Sequence, residues 1–359
     1  MSAYDLDFLA VGETTSGDAI FVRTKKDNNE VINLVDGGYA GEAGNIEAFM
    51  DKWYKKKVID NMVLTHGDRD HLSGLVKILK DESIQVNTIW ALFPWHYAND
   101  LVDGDYFENR NSSKWLEDEL KRQYGLLCEF EQLAINRGIK IKSPFQGQCI
   151  GEFKVLSPSK KFYLDNIASS KKTADENKDR CPTSGRKLLE SIISPVVDMI
   201  KRAWGDENFS SEPTSSENNN SVIQYSYIGG KKILLTGDAG VEALEEAIKY
   251  LQPKSLPIAD IFQVPHHGSR RNLSSEILDK IIGHKLNSYA EAKNADKITA
   301  IISAGYKDPN HPRNAVLRAL IHRGASVFGT RKGGFHKGHS SRDEWHSATK
   351  YDYPANMES

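Results

Sequence analysis

The chain has 359 residues, enough for one large domain or two small ones, and its 47 Lys and Arg nearly balance its 49 Asp and Glu. A net charge of −2 excludes a general basic field as the basis for attracting nucleic acid, although a local basic groove stays open. Met1-Ser2-Ala3-Tyr4-Asp5 lacks the basic and apolar segments of a secretion signal, and no apolar run reaches the roughly 20 residues that span a bilayer. The three cysteines, Cys128, Cys149 and Cys181, have no metal-ligand spacing. A soluble protein of the reducing cytoplasm, with no membrane contact, is the expectation.

Residues 5–11, 18–24 and 30–35 read as short strands rich in apolar and β-branched residues. Asp36-Gly37-Gly38 ends the third, and Asp36 is either an ordinary turn residue or an outer carboxylate that orients a metal-binding histidine. A helix over 43–56, a strand over 59–65, a helix over 71–80 and a strand over 86–91 give the pattern of a sheet covered by helices. The turn between the second strand–helix pair is Leu64-Thr65-His66-Gly67-Asp68-Arg69-Asp70-His71. Side chains at such a turn can converge, and imidazole nitrogen with carboxylate oxygen suits Zn²⁺, Mn²⁺ or Fe²⁺. The competing account is a polar loop in which Asp70 caps the helix.

Residues 93–145 depart from a minimal core. The aromatic run Phe93-Pro94-Trp95-His96-Tyr97 reads as a seal between helix and sheet, with base stacking as the alternative, and His96 is left out of the ligand set. Helical spacing covers 113–137, and a strand covers 148–156. Residues 159–220 are polar and poor in aromatics, which predicts a partly disordered lid or loop interrupted by one helix over 186–204. A hairpin of strands 221–228 and 232–236 turns at Gly229-Gly230 and delivers Asp238, followed by a helix over 240–251. Asp238 can cap that helix, bridge two cations, or do both. A strand over 258–264 ends at Pro265-His266-His267-Gly268-Ser269-Arg270-Arg271. Ser269, Arg270 and Arg271 would suit an anionic substrate; solvent-facing positions at a helix start are the competing account. A strand over 297–302, Asn310-His311-Pro312, a helix over 313–323 and a strand over 325–328 complete residues 1–330, read as one domain. An irregular tail follows over 331–359, with His336, His339 and His346 outside the site.

The turn from His66 to His71 resembles the second motif of the metallo-β-lactamase superfamily, His-x-His-x-Asp-His, with Asp68 in place of the second histidine. In that form it is similar to the nuclease domain of the ComEC/Rec2 competence proteins and their soluble relatives. Asp36, Asn219-Asn220-Ser221, Thr236-Gly237-Asp238, His266-His267-Gly268-Ser269 and Asn310-His311-Pro312 follow in the family's order and extend the resemblance to about Thr330. The resemblance implies an α/β (α+β) fold, the four-layer αββα sandwich, with insertions at about 93–145 and 159–220. It implies two divalent metal ions, Mn²⁺ or Zn²⁺, held by His66, Asp68, Asp70, His71, Asp238 and His266, with Asp36 and Asn220 behind them. His266 and His267 can exchange the roles of ligand and of outer donor or general acid. His267 or His311 would protonate a leaving oxygen, and Asp70 stands at the reacting centre. The implied activity is cleavage of DNA or a related phosphodiester by a metal-activated hydroxide. A nucleic acid or nucleotide is then the partner, and a protein from the same operon a further one. A small-molecule hydrolase acting on a cyclic nucleotide, lactone or thioester, or a regulatory module that keeps its metal, are the other readings.

Overall fold

A computed structural model describes residues 2–27, 29–104, 106, 112–170, 199–295, 298–331, 333–342 and 348–358. The strands are β1 (Ala3–Phe8), β2 (Ile20–Lys26), β3 (Asn29–Val35), β4 (Val58–Val63), β5 (Gln85–Trp90), β6 (Lys140–Lys142), β7 (Cys149–Ile150), β8 (Phe153–Ser157) and β9 (Met199–Lys201). They continue as β10 (Ile223–Ile228), β11 (Lys231–Leu235), β12 (Ile261–Gln263), β13 (Ile298–Ile302), β14 (Ala325–Gly329), β15 (Phe335–Gly338), β16 (Thr349–Lys350) and β17 (Asn356–Glu358). One sheet runs β15-β1-β2-β3-β4-β5-β6, a second runs β16-β14-β13-β12-β11-β10-β8-β7, and β9 pairs with β17.

Strand alternation builds the layers. Ile20 and Val22 face the space between the two large sheets, where they meet Ile233, Leu235, Ile261 and Ile301; Phe21 and Leu234 point the opposite way. The outer face of the first sheet is covered by α1 (Ala43–Phe49), α2 (Arg69–Leu79), α3 (Ala98–Asp103), α4 (Ser113–Gln123), α5 (Gly125–Asn136) and α6 (Lys160–Ser169). After the short α7 (Ser216–Asn219), α8 (Val241–Leu251), α9 (Ser275–Ile282), α10 (Tyr289–Ala295) and α11 (Asn314–His322) cover the second. Helices, two sheets and helices again make the expected αββα sandwich.

The strand directions place the site. β3 to β6 are parallel, and so are β11 to β14. The loops after β3 and β4, and those after β11, β12 and β13, therefore emerge along one rim. β2 starts at the same rim, because Ile20 pairs with Val35.

Several sequence expectations change. The helix over 113–137 breaks at Tyr124, whose φ of −105° and ψ of 47° leave the helical region. The strand over 148–156 turns at Gly151, which has a φ of 58°. Phe93, Trp95 and Tyr97 are buried beneath the helices, with Trp95 Nε1–H donating to Glu131 at 2.7 Å, so they seal the core rather than offer faces to a ligand. The described parts of 159–220 are ordered: Tyr163, Leu164 and Ile167 of α6 join the core, and Met199–Lys201 is a strand where a helix was expected. Residues 202–204 are irregular, and the remainder of that expected helix, 186–198, lies outside the described residues, as do Cys181 and His346.

The tail is also ordered where described. Its β15 extends the first sheet beside β1, and buried carboxylates on β1 hold it there. Asp5 accepts from Arg23 Nη2 at 2.5 Å and from Ser340 N at 2.8 Å; Asp7 accepts from His336 Nδ1 at 2.7 Å and from Arg342 Nη2 at 2.9 Å. Burial alone would raise the Asp5 pKa, but the hydrogen bonds from Ser340 and Arg23 outweigh it and hold the value at about 2. No helix among the described residues is long and apolar enough to cross a membrane.

Two stability predictions follow from this packing. The folded pKa of Asp5 lies below its unfolded value of 3.8, so its stabilisation is complete at neutral pH and vanishes as acid protonates it through about pH 2. The contribution is about 2 kcal/mol, and urea unfolding of Asp5→Asn should show a correspondingly smaller loss of stability between pH 5 and 2 than wild type. Gly74 of α2 donates its N–H to Gly38 O at 2.9 Å, and a Cβ there would stand 1.8 Å from Gly37 O. Gly74→Ala should destabilise by about 1–3 kcal/mol or more in the same assay, while Gly41→Ala, which meets nothing within 4 Å, should change little.

Candidate metal centre

The rim between the sheets gathers histidines and carboxylates from both. Asp36, at the end of β3, is fully buried with a φ of 57°, a left-handed conformation that Asp tolerates better than most residues. It accepts from Thr65 N at 2.8 Å, Thr65 Oγ1 at 2.6 Å and His71 Nδ1 at 2.8 Å. The bond to His71 leaves the lone pair of Nε2 facing the centre. Thr65 gives its hydroxyl proton to Asp36, so its oxygen can accept from His66 Nδ1 at 3.1 Å, which presents His66 Nε2 in the same way. His267 Nδ1–H donates to Ser303 O at 2.8 Å and completes a third imidazole with Nε2 turned inward.

Asp238, two per cent exposed, is the common neighbour. Its Oδ1 lies 3.4 Å from His71 Nε2, and its Oδ2 lies 3.9 Å from His66 Nε2, 3.7 Å from His266 Nε2 and 3.9 Å from His267 Nε2. Asp70 Oδ2 stands 3.4 Å from His267 Nε2 and 3.7 Å from His71 Nε2. His66 Nε2, His71 Nε2 and Asp238 Oδ1 are buried without a hydrogen-bond partner. Leaving such atoms unpaired costs about 1–3 kcal/mol each, and a cation is the partner that suits all three. Ligands about 2.0–2.2 Å from one tetrahedral ion stand roughly 3.3–3.6 Å apart, close to the spacings here. The residues present therefore fit a divalent cation. Asp70, His71, Asp238 and His267 form one group with ligand atoms within 4.8 Å of one another, and Asp18, Asp36 and His71 form another. His66 and Asp68 are 3.7 Å apart, and His66 Nε2 also lies 3.9 Å from Asp238 Oδ2. The cap position of α2 is Asp68, which makes no side-chain capping bond, and Asp70, the residue expected to cap, lies within the first turn of the helix.

The electrostatics match that geometry. Burial opposes charge on Asp238, but His71, His266 and His267 outweigh it and hold the carboxylate well below its usual range. Burial likewise lowers the pKa of His267, yet Asp238, Asp70 and Asp18 raise it to about 9. For His266 burial prevails, and its pKa falls.

Both paired histidines, whose order the sequence left open, reach the cluster, in different settings. His267 belongs to the four-residue group, whereas His266 Nδ1 lies between Asn218 Nδ2 at 3.1 Å and Asn272 Oδ1 at 3.0 Å. Both histidines have left-handed backbones, with φ of 47° and 56°, and both turn Nε2 toward Asp238, at 3.7 and 3.9 Å. Asn220 is also displaced. Its Oδ1 accepts from Asn166 at 3.0 Å, while Asn218 and Ser221 are the residues that reach His266 and His66. Arg271 forms an exposed ion pair with Glu212, its N–H donating to Ser269 Oγ at 3.3 Å, and the carbonyl of Arg270 accepts from Ser210 N at 3.1 Å. His311 stacks on His266 with centroids 5.7 Å apart, and its Nδ1 contacts Asp308 Oδ2 at 3.2 Å. His336 and His339 belong to the tail contacts.

Four further residues enter that sequence reasoning missed. Asp308 accepts from Ser16 Oγ at 2.6 Å, and Asp18 accepts from Gln263 Nε2 at 3.0 Å. A signal existed: Ser16-Gly17-Asp18 is a polar step immediately beside an apolar strand, as Asp36 and Asp238 are. Asp308 lies three residues before His311.

The sandwich and the cluster at its shared rim define a protein with the metallo-β-lactamase fold. No protein-family model matches the chain. It is 29% identical over 121 residues to ComE operon protein 3 of Bacillus subtilis (strain 168), a match that covers 33% of this chain and 13% of that protein's length. Among solved structures it is similar to the metallo-β-lactamase fold protein YhfI from Bacillus subtilis, with 11% identity, a TM-score of 0.40, and 94% of this chain and 100% of that one covered. It is also similar to AidC, a dizinc quorum-quenching lactonase, with 11% identity, a TM-score of 0.30, and 62% and 56% covered.

If His267 is the inner histidine, His267→Ala should weaken Mn²⁺ or Zn²⁺ binding, measured by titration calorimetry, by at least about 10–100-fold. His266→Ala should change it much less.

Proposed function

We propose that the chain is a metal-dependent hydrolase that cleaves DNA or a related phosphodiester. The observation that carries the hydrolase reading is the set of buried, unpaired ligand atoms on His66, His71 and Asp238, converging where Asp70 and His267 also point. Divalent ions held there supply Lewis acidity and a water of lowered pKa. Asp70, His71, Asp238 and His267 would hold one ion, and His66, Asp68 and Asp238 would hold a second. Asp36 and the carbonyl of Ser303 keep the imidazoles in register. His311, partly exposed and turned by Asp308, is placed to give a proton to a leaving oxygen. The preference for a phosphodiester rests on Asp68 within the His-x-Asp-x-Asp-His form of the motif and on its resemblance to competence nucleases.

A second reading, hydrolysis of a small ester or lactone, has one observation in its favour. A largely apolar lining of Leu92, Tyr124, Leu127, Tyr163 and Ile167 adjoins His66; its cavity of about 30 Å³ has room for little more than water, so the support lies in the apolar character of this flank and not in a formed substrate pocket.

The test strips metal from wild type and Asp238→Ala and incubates each with single- and double-stranded DNA plus Mn²⁺, Zn²⁺ or Mg²⁺. Wild type should cut with Mn²⁺, and the variant should be at least about 100-fold slower. Intact DNA under every ion, with turnover of small esters, would replace the first reading by the second.

A further inference from the structure

Asp18 flanks His71 together with Asp36 and is not among the residues assigned above to a cation, and it touches the supports of three of the four residues in the group of Asp70, His71, Asp238 and His267. Its N–H donates to Asp70 O at 3.2 Å, its carbonyl accepts from Gly38 N at 2.7 Å, and its Oδ2 stands 3.9 Å from His71 Nδ1. On the other side, Oδ2 accepts from Gln263 Nε2 at 3.0 Å. Gln263 ends β12, and its Oε1 accepts from Thr236 N at 2.8 Å and Gly237 N at 3.2 Å, the two residues before Asp238. Asp18, Gln263 and Thr236 are all buried, so water cannot substitute for these bonds.

The first sheet brings Asp70 and His71, and the second brings Asp238 and His267. The Asp18–Gln263 hydrogen bond crosses from one sheet to the other directly beneath them. Resting on the reading of this cluster as a metal centre, we infer that Asp18 is a positioning residue: through Gln263 it sets the distance between the two halves of the cation site. Its useful feature is an acceptor at Oδ2, not its charge.

Mn²⁺ binding by the full chain, followed by calorimetry with catalysis left out, tests this. Asp18→Ala removes the acceptor and should weaken binding about 10–100-fold, the usual effect of losing an outer partner. Asp18→Asn keeps an acceptor for Gln263 and should bind within about threefold of wild type. Gln263→Met, which breaks the same bond from the other side, should match Asp18→Ala and decides the matter if that variant does not fold. Wild-type affinity in Asp18→Ala, or in Gln263→Met, would overturn the clamp. So would an Asp18→Asn variant as weak as Asp18→Ala, because the charge would then be what matters, as for a ligand or a counter-ion. If wild type itself binds no divalent ion, the metal-centre reading fails instead.

Discussion

A carboxylate cut off from water must be matched by positive charge or by several donors, and Asp238 sets that requirement for the whole rim. Four imidazoles lie within 4 Å of it, and each has Nδ1 engaged elsewhere with Nε2 toward it. Every element around the centre serves this arrangement. Asp36 fixes His71 and the strand end that carries His66, and Ser303 fixes His267. Structural carboxylates elsewhere in the chain, such as Asp5 and Asp7, are satisfied by arginines and backbone N–H groups. Those at the rim face one another across a small space instead, an arrangement that is stable when a cation occupies its middle.

Two parallel stretches of sheet make this possible. Parallel strands send all their outgoing loops to one side, so each sheet contributes a row of short loops, and the sandwich sets the rows face to face. His66, Asp238 and His267 sit on short loops after β4, β11 and β12, while Asp70 and His71 lie in the first turn of α2. The departures from simple geometry are few. Asp36, His266 and His267 adopt left-handed backbones, and all three lie at the centre. Such conformations persist only where surrounding bonds over-determine them.

Much of this site was legible in the sequence because residue type and position coincided: histidines and aspartates directly after apolar strands have few structural duties. The order of the roles of His266 and His267 was not legible, since both follow the same strand and both turn Nε2 toward Asp238. Asp18 escaped notice because a single carboxylate before a strand looks like any turn; its significance comes from Gln263, 245 residues away. The same distance effect hid the tail. Phe335–Gly338 carries no strong strand pattern, and its partners Asp5 and Asp7 lie at the other end of the chain. Polarity misled in 159–170, where Tyr163, Leu164 and Ile167 supply an apolar face among lysines.

The pairing of β1 with β15 also bears on how the protein is made. A ribosome adding about 5–20 residues per second finishes β15 roughly 15 to 70 seconds after β1, since contacts between them span 329 to 335 residues. For that interval β1 has one row of backbone donors and acceptors without a strand to meet them, the kind of edge on which other nascent chains can assemble. Asp5 and Asp7 sit on that strand throughout. Before they anchor the tail, their negative charges discourage another strand from docking, so the same two side chains guard the edge first and close it afterwards.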